Sequence, residues 1–438
     1  MEPNPPFSFS DFPEDVQLCI LSYLHQSDLE EFARTSKKSF ALCNDDERLW
    51  FLKCTRRWGS QTRIQRWGGG GGGKISYKNL FRFLDQHECL IGFWRSDHEA
   101  RSSPPLVLFE WGSFYIVGYH ILPPKRGGCG LSKKPFLWIT ASSNGKALNY
   151  LDMNGTLSLS DKDLFRQDSE KLRATELIVA DIDLHGNGYL LISENPRFLA
   201  FRQRLSTGND MAEFEEVYRS PPDGLMAQIY RTLAKKVKVT GTTTSKKEMK
   251  RIRKREKEKL RLSVLPWESE HFEKIIDCSP SPSRPLQGLW KGIGANRRLN
   301  LYLVSYHEEW EEISCEIVGS FFSTDPSPFR GMVISASITA FLESPFSYEE
   351  MNMYKSRSHL CSPARSDPAS SDVLRIFYAD SGLGPLVPNL SENPEDGDGR
   401  VWLYADGSFG FGFRRHDYIL DLEPMVKNGH FLDTYILL

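Results

Sequence analysis

The sequence predicts an α+β chain: a small all-α module at the N-terminus, then a β-rich, barrel-like domain with helical insertions. Three observations carry this prediction. Residues 12–58 repeat apolar side chains at helical spacing in short runs with their own start signals. From residue 90 the pattern changes to short apolar segments bounded by Gly, Asn and Asp. Between the two regions stands a run of six glycines, residues 68–73.

Within the first region, Pro13 suits a first helical turn, and Glu14 and Asp15 favour its N-terminal dipole. Val16, Ile20, Leu21 and Leu24 follow at helical spacing. Ser27-Asp28-Leu29-Glu30 has the form of a capping box, with Leu29, Phe32 and Ala33 on one face of the next helix. Phe40 and Cys43 predict a third helix. Asp45 or Asp46 caps a fourth that carries Leu49, Trp50 and Lys53. Gly68 to Lys74 satisfies most of a phosphate-loop pattern, but Ile75 stands where Ser or Thr must meet magnesium, and no buried-strand pattern precedes it. The glycines therefore read as a linker. Tyr77, Leu80, Phe81 and Leu84 add one more helical stripe. The predicted divisions are a helical module at 9–58, linker and helix at 59–89, and a β-rich domain at 90–438.

In the β-rich part, residues 106–119 read as two apolar strands around a turn at Gly112-Ser113. Further strands are predicted at 136–140, 148–159, 176–193, 300–305, 313–318, 331–341 and 400–422, the last with a turn at Asp406-Gly407. Many short strands with turn residues between them predict a sandwich or barrel. Two pieces echo each other: Gly92-Phe-Trp94-Arg95 and Gly288-Leu-Trp290-Lys291. Such a Gly-x-Trp at a first strand suits an indole that plugs one end of a barrel; two unrelated strands, each starting with a buried Trp, would read the same. Residues 213–262 follow a helical pattern, and residues 355–372 and 388–399 read as surface loops.

Apolar and charged fractions of 40% and 26% over 438 residues are those of a soluble globular protein. The N-terminus has no basic-then-apolar leader, no apolar run reaches membrane-spanning length, and the eight cysteines form no C-x-x-C pair. A cytoplasmic or nuclear protein with reduced thiols is expected. Residues 235–262 hold thirteen Lys or Arg and three Glu, a local +10 in a chain of net charge −2, so the remaining body is acidic. The stretch 246–261 reads as a nuclear-import signal or as a solvated helix. It lacks the interleaved aromatics that nucleic-acid stacking uses.

No catalytic set is found. The chain has no G-x-S-x-G elbow, no H-E-x-x-H and no G-x-G-x-x-G after a strand. Asp181-x-Asp183-x-His185-Gly186 begins like a calcium loop, but Ile192 occupies the position of the bidentate Glu, so a turn is expected there. The chain is expected to be non-catalytic, with no cofactor and no metal.

Phe12-Pro13-Glu14-Asp15-Val16, then Ile20-Leu21-Ser22-Tyr23-Leu24, Ser27-Asp28-Leu29 and Arg48-Leu49-Trp50 closely resemble the F-box pattern. Phe12 replaces the usual Leu, and Lys37-Lys38-Ser39-Phe40 replaces a segment that often ends in Trp. The resemblance implies binding to a Skp-type adaptor and, through it, to cullin and RING subunits. The residues assigned to the adaptor face are Phe12, Pro13, Val16, Ile20, Leu21, Leu24, Leu29, Phe32, Phe40, Leu49 and Trp50.

The G-L-W-K-G start at Gly288, residues 115–124 and the F-G-F hairpin at Phe409–Phe411 resemble the substrate-binding part of the F-box-only family typified by F-box only protein thirty-one. That resemblance implies a receptor for a protein substrate with a short degron. Trp94, Arg95, Trp290, Lys291, Phe409, Phe411, Arg414 and Arg415 are its candidate contacts, and a shared pocket is expected to gather the cations. The expected role is the substrate-recognition subunit of a Skp–cullin–F-box ubiquitin ligase. Two alternatives stay open: a barrel for a small apolar ligand, and a regulator associated with nucleic acid.

Overall fold

The computed structural model describes residues 8–67, 75–96, 106–123, 130–152, 177–200 except 187, 267–294 except 277, 299–307, 312–321, 331–360, 372–380, 398–413, 417–427, 430–432 and 435–436. The glycine run, the helical insertion at 213–262 with its basic stretch, and Arg414 and Arg415 lie outside the described residues.

The N-terminal region forms α1 (Glu14–Leu21), α2 (Gln26–Ala33), α3 (Lys37–Cys43) and α4 (Phe51–Trp58), with a single wide turn over Asp46–Trp50. Polar side chains supply the starts. The Ser36 hydroxyl accepts from the Ser39 N–H, and the Asp45 carboxylate accepts from the Arg48 N–H. The expected capping box at Ser27 is displaced. The second helix begins earlier, with the His25 imidazole accepting from the Ser27 N–H, so Ser27 lies inside the first turn.

Helix α5 (Tyr77–His87) completes this module rather than merely following it. Tyr77, Leu80, Phe81, Phe83 and Leu84 are all buried, and Phe81 meets both Trp50 and Trp58 edge to face. Ile64 and Trp67 before the glycines, and Ile75 after them, join the same core. The module therefore fills its own interior with aromatic residues from both sides of the linker.

Among the described residues the remaining chain forms two closed eight-stranded barrels, where the sequence led us to expect one. The first comprises β1 (Gly92–Ser96), β2 (Leu106–Trp111), β3 (Ile116–Leu122), β4 (Ser132–Ala141), β5 (Ala147–Asp152), β6 (Leu177–His185), β7 (Tyr189–Glu194) and β8 (Glu270–Lys274). Neighbours in sequence pair antiparallel, and β1 closes on β8. The Asp181–Gly186 segment runs along β6 into a turn.

The second barrel comprises β9 (Gly288–Ile293), β10 (Leu299–His307), β11 (Glu312–Phe321) and β12 (Gly331–Glu343). Helix α6 (Tyr348–Lys355) and β13 (Ser358–Leu360) come next. The barrel continues through β14 (Val373–Asp380), β15 (Asp398–Tyr404), β16 (Phe409–Phe413) and β17 (Tyr418–Pro424), and closes by pairing β17 with β9. The chain ends with the hairpin β18 (Val426–Lys427) and β19 (His430–Phe431), then β20 (Tyr435–Ile436).

The sequence echo is the barrel repeat. Gly92 and Gly288 hold φ of 117° and 120°, a left-handed backbone that favours glycine. Two residues on, Trp94 and Trp290 are each 0% exposed, and their indole N–H groups donate to the Leu90 and Leu286 carbonyls at 2.7 and 2.8 Å. Alternation along each strand then separates inside from outside. In β2, Val107 and Phe109 join the interior core with Trp94, while Leu106 and Leu108 face the second barrel. That side-by-side contact gathers Phe93, Leu108, Ile121, Leu289, Leu301, Val318 and Phe431.

The first barrel stands on the helical module. The Thr62 hydroxyl lies 2.7 and 3.1 Å from the Gly112 and Ser113 carbonyl oxygens and accepts from the Trp67 indole N–H at 3.0 Å. The Arg63 N–H donates to the Ser113 carbonyl, and Gly145 in the β4–β5 turn lies against Asn79 of α5. Trp58, Trp67, Leu84, Leu90, Trp94 and Phe109 belong to one continuous core. Thr62→Val leaves the indole N–H and the Gly112 carbonyl without their buried hydroxyl partner, so a loss of about 1–3 kcal/mol is expected in denaturant unfolding. An unchanged midpoint would mean that the hydroxyl chain contributes nothing to the joint.

His120 titrates inside the first barrel, where its ring stacks on Phe136 with centroids 3.9 Å apart. Burial, helped by the nearby Lys134 charge, pushes its pKa down to about 3, against about 6.5 in an unfolded chain. The folded form therefore stays neutral while the unfolded chain takes up a proton. Stability is complete above pH 6.5 and falls as the pH drops towards 3, by roughly 2 kcal/mol at pH 5. His120→Phe is expected to remove that part of the acid dependence; an unaltered difference between pH 7 and pH 5 would refute the assignment.

Candidate functional site

Helix α1 is two-sided. Gln17, Leu18 and Leu21 are buried, and the Gln17 amide N–H donates to the Phe12 carbonyl at 2.6 Å, fixing how the chain enters the helix. On the other side, Ile20 is 39% and Phe12 41% exposed, with Pro13 and Cys19 also exposed and Val16 half-buried. Helix α3 repeats the division: Ser39, Leu42 and Cys43 face inward while Phe40 is 60% exposed. Among the described residues, Phe12, Ile20, Tyr23, Phe40 and Leu52 are large exposed apolar side chains within one short stretch. Solvated apolar surface gathered this way marks a partner surface.

Of the residues assigned to this face, Phe12, Pro13, Ile20 and Phe40 are exposed, and Val16, Leu24 and Phe32 are half-buried. The other four are corrected. Leu21, Leu29, Leu49 and Trp50 are at most 2% exposed and pack inside the module, so they hold the face in shape and present no surface of their own. Helical periodicity marks both sides of a short helix when each is apolar, which is why they were indistinguishable in the sequence.

Tyr23 was missed by the sequence reading. It stands at the end of α1, 70% exposed, with the Arg56 guanidinium 3.2 Å from its ring centroid. Its signal was available in its spacing of three residues from Ile20. Lys53 is buried below the face and donates to the Leu24 carbonyl at 2.5 Å, and desolvation lowers its pKa. Arg48 ties α1 to the wide turn through Glu14 and Asp45 at 2.5 and 2.7 Å. These exposed ion pairs set geometry more than stability.

Of the candidate substrate contacts among the described residues, the aromatic ones are interior and the two cations face outward. Trp94 and Trp290 are interior plugs, and Phe409 and Phe411 lie 4% and 6% exposed inside the second barrel, Phe409 against Trp290 at 4.6 Å. Arg95 alternates outward from Trp94 and bridges the barrels, pairing with Glu273 of the first at 2.5 Å and Glu316 of the second at 3.2 Å. Lys291 alternates outward from Trp290 and lies 3.6 Å from Glu423. Strand alternation thus sends each cation away from the interior that its neighbouring Trp enters, and each is met there by a carboxylate.

A second polar constellation lies under α6 on the outside of the second barrel. The Asp421 carboxylate accepts from the Tyr404 hydroxyl at 2.6 Å and from His359 Nδ1 at 2.8 Å. Glu350 of α6 accepts from Arg400 at 3.2 Å, while the Arg400 guanidinium stacks 3.9 Å from the Tyr378 ring centroid. These groups lock α6 and β13 onto the barrel wall. The cysteines of the described residues are free, and no group of His, Cys, Asp and Glu among those residues is arranged to hold a metal. No helix among them is long and apolar enough to cross a membrane.

Comparison with known proteins bears on the helical module and on the whole chain. An F-box-like family model matches residues 9–56. The full sequence is 36% identical over 425 residues to F-box protein At3g12350 of Arabidopsis thaliana, an alignment that covers 95% of each chain.

Proposed function

This chain belongs to the F-box protein family, and on that premise we propose that it is the substrate-recognition subunit of a Skp–cullin–F-box ubiquitin ligase. The observation that carries the reading is the exposed apolar face of Phe12, Ile20, Tyr23 and Phe40 on the segment matched to the F-box. A Skp-type adaptor would cover that face, with Pro13, Val16, Leu24 and Phe32 at its margins. Cullin and RING subunits would follow through the adaptor. Catalysis then belongs to the other subunits, and this chain contributes proximity: a bound target meets the ubiquitin-charged enzyme at raised effective concentration.

The joint between module and barrel supports this role. With Thr62, Trp67 and Asn79 set against the hairpin turns of the first barrel, a captured substrate would be held at a defined angle to the ligase despite the six glycines. A small-ligand barrel is less well supported, because Trp94, Phe109 and Phe136 occupy the first barrel and Trp290, Tyr302, Phe409 and Phe411 the second. The alternative of a regulator associated with nucleic acid, and the assignment of 246–261 as a nuclear-import signal, both rest on residues outside those described.

The test is affinity purification with the proteasome blocked, comparing the full chain with an Ile20→Asp/Phe40→Asp form. The expected result is adaptor and cullin with the first and not the second, together with ubiquitinated proteins that accumulate only with the first. Equal recovery of the adaptor with both forms would contradict the proposal.

A further inference from the structure

The segment that joins the two barrels, between β8 and β9, reads Ser279-Pro-Ser-Pro-Ser-Arg284 at its centre. Ser281 opens a turn there, and Pro282 suits the second position of the turn through its fixed φ. The Arg284 N–H donates to the Ser281 carbonyl at 3.1 Å, and the Ser281 N–H donates to the Arg284 carbonyl at 3.2 Å. The same Arg284 N–H meets the Ser281 hydroxyl oxygen at 3.1 Å, and the Ser283 hydroxyl lies 3.2 Å from that oxygen. Pro282 and Ser283 are exposed, and Ser281 is half-buried. The Arg284 guanidinium carbon stands 5.9 Å from the ring centroid of Tyr306, at the end of β10.

Ser281-Pro-Ser-Arg284 is a serine followed by Pro and, three positions on, by a base. Pro carries no N–H, so it suits an enzyme groove that leaves that position without an acceptor, and the base suits a groove that is anionic three residues on. The neighbouring serines fail one half of the pattern each. Ser279 precedes Pro280 but has Pro282 in the place of the base, and Ser283 is followed by Arg284. The pattern recurs at Ser327-Pro-Phe-Arg330 and Ser362-Pro-Ala-Arg365. With 25 Pro and 55 Lys or Arg in 438 residues, composition alone accounts for fewer than one such tetrapeptide, so three point to a reader. Ser327 and Ser362 lie outside the described residues, and Ser281 is the occurrence whose surroundings are described.

We propose that Ser281 is a phosphorylation site for a proline-directed protein kinase that reads a base three residues on, and that Arg284 holds the phosphate once it is attached. The Ser281 Oγ attacks the γ-phosphorus of the nucleoside triphosphate bound by the kinase. The new O–P bond forms as the bond to the β,γ-bridging oxygen breaks; nucleoside diphosphate leaves, and the hydroxyl proton passes to the kinase's catalytic carboxylate. To enter the kinase the turn must open, which for an exposed turn held by two backbone bonds lies at the low end of local unfolding costs. When it closes again, the phosphate replaces the hydroxyl as acceptor of the Arg284 N–H and has the guanidinium of the same residue to pair with. Arg284 is the only charged residue from Cys278 to Gln287, so the segment between the barrels changes from +1 to about −1. The assignment is independent of the ligase reading.

The test incubates the full chain with ATP, magnesium and a recombinant cyclin-dependent kinase, a class that reads this tetrapeptide, and follows each site by mass spectrometry. A free peptide of residues 278–290 runs in parallel. Phosphate is expected on Ser281 of the folded chain and absent from Ser279 and Ser283. Pro282→Ala is expected to slow incorporation at Ser281 at least tenfold, and Arg284→Gln at least threefold. In hydrogen exchange, the phosphorylated chain is expected to exchange the Arg284 and Gln287 amides at least fivefold more slowly than the unmodified one. A peptide that is phosphorylated while Ser281 of the folded chain is not would overturn the proposal, as would incorporation indifferent to Pro282→Ala. Unchanged exchange at Arg284 would overturn the part given to that residue.

Discussion

Replacing Trp94 by Ala is expected to lower the stability of the folded chain by about 3–5 kcal/mol, and replacing Trp290 to do the same. Each indole is fully buried in a barrel core and donates its N–H to a carbonyl four residues earlier. The consequences differ in place. Trp94 belongs to the core shared with α5 and the F-box helices, so its loss should expose amides in the helical module as well as in the first barrel. Trp290 belongs to the separate interior of the second barrel, and its loss should be felt there first. Urea unfolding with hydrogen exchange read by region distinguishes the two. A cost below about 1 kcal/mol for either variant would be inconsistent with a plug left as a cavity.

These two residues also show what the sequence disclosed. Gly92-x-Trp94 and Gly288-x-Trp290 carry the repeat because a left-handed glycine and a buried indole are required at the same point of each barrel. The second barrel as a whole was harder to see. Strand β8 (Glu270–Lys274) reads Glu-His-Phe-Glu-Lys, with Phe272 as its single buried apolar residue, and gives little periodic signal. Without it the first barrel has no closing partner for β1. Likewise β14 begins immediately after a polar stretch, and among its described side chains Ile376 and Phe377 alone are buried.

The candidate sites were legible to different degrees for a physical reason. On the F-box helices, the residue types identified the segment, but both sides of α1 are apolar and only packing inside the module, where α1 lies against the Asp46–Trp50 turn, separates Leu21 from Ile20. On the barrels, Arg95 and Lys291 follow a Trp directly, and strand alternation alone predicts that each points opposite to it. Sequence proximity to a strand end does not say which way such a side chain points, whereas the period-two pattern in Phe93-Trp94-Arg95 does. The Arg95 contact to Glu316 joins residues far apart in sequence, which no local pattern reveals.

The Ile20→Asp/Phe40→Asp form is expected to lose adaptor binding by at least a hundredfold, while its unfolding midpoint stays within about 0.5 kcal/mol of the parent, as for surface changes generally. Both side chains are exposed in the isolated chain, so their replacement leaves the core of Leu18, Leu21, Leu49 and Trp50 intact. In a complex the same positions become desolvated anchors, where a carboxylate is costly to bury. Leu21→Ala is the instructive contrast, because it should weaken binding only by destabilising the module, about 2–5 kcal/mol for a core leucine. If Ile20→Asp/Phe40→Asp bound the adaptor as the parent does, the exposed face would not be the interface.

Hydrogen exchange of the full chain with and without a purified Skp-type adaptor tests the central claim most directly. The account predicts new protection over residues 12–24 and 37–44, which carry Phe12, Ile20, Tyr23 and Phe40, with both barrels unchanged. Protection that appears on the barrels and spares those two segments, or no protection at saturating adaptor, would contradict it.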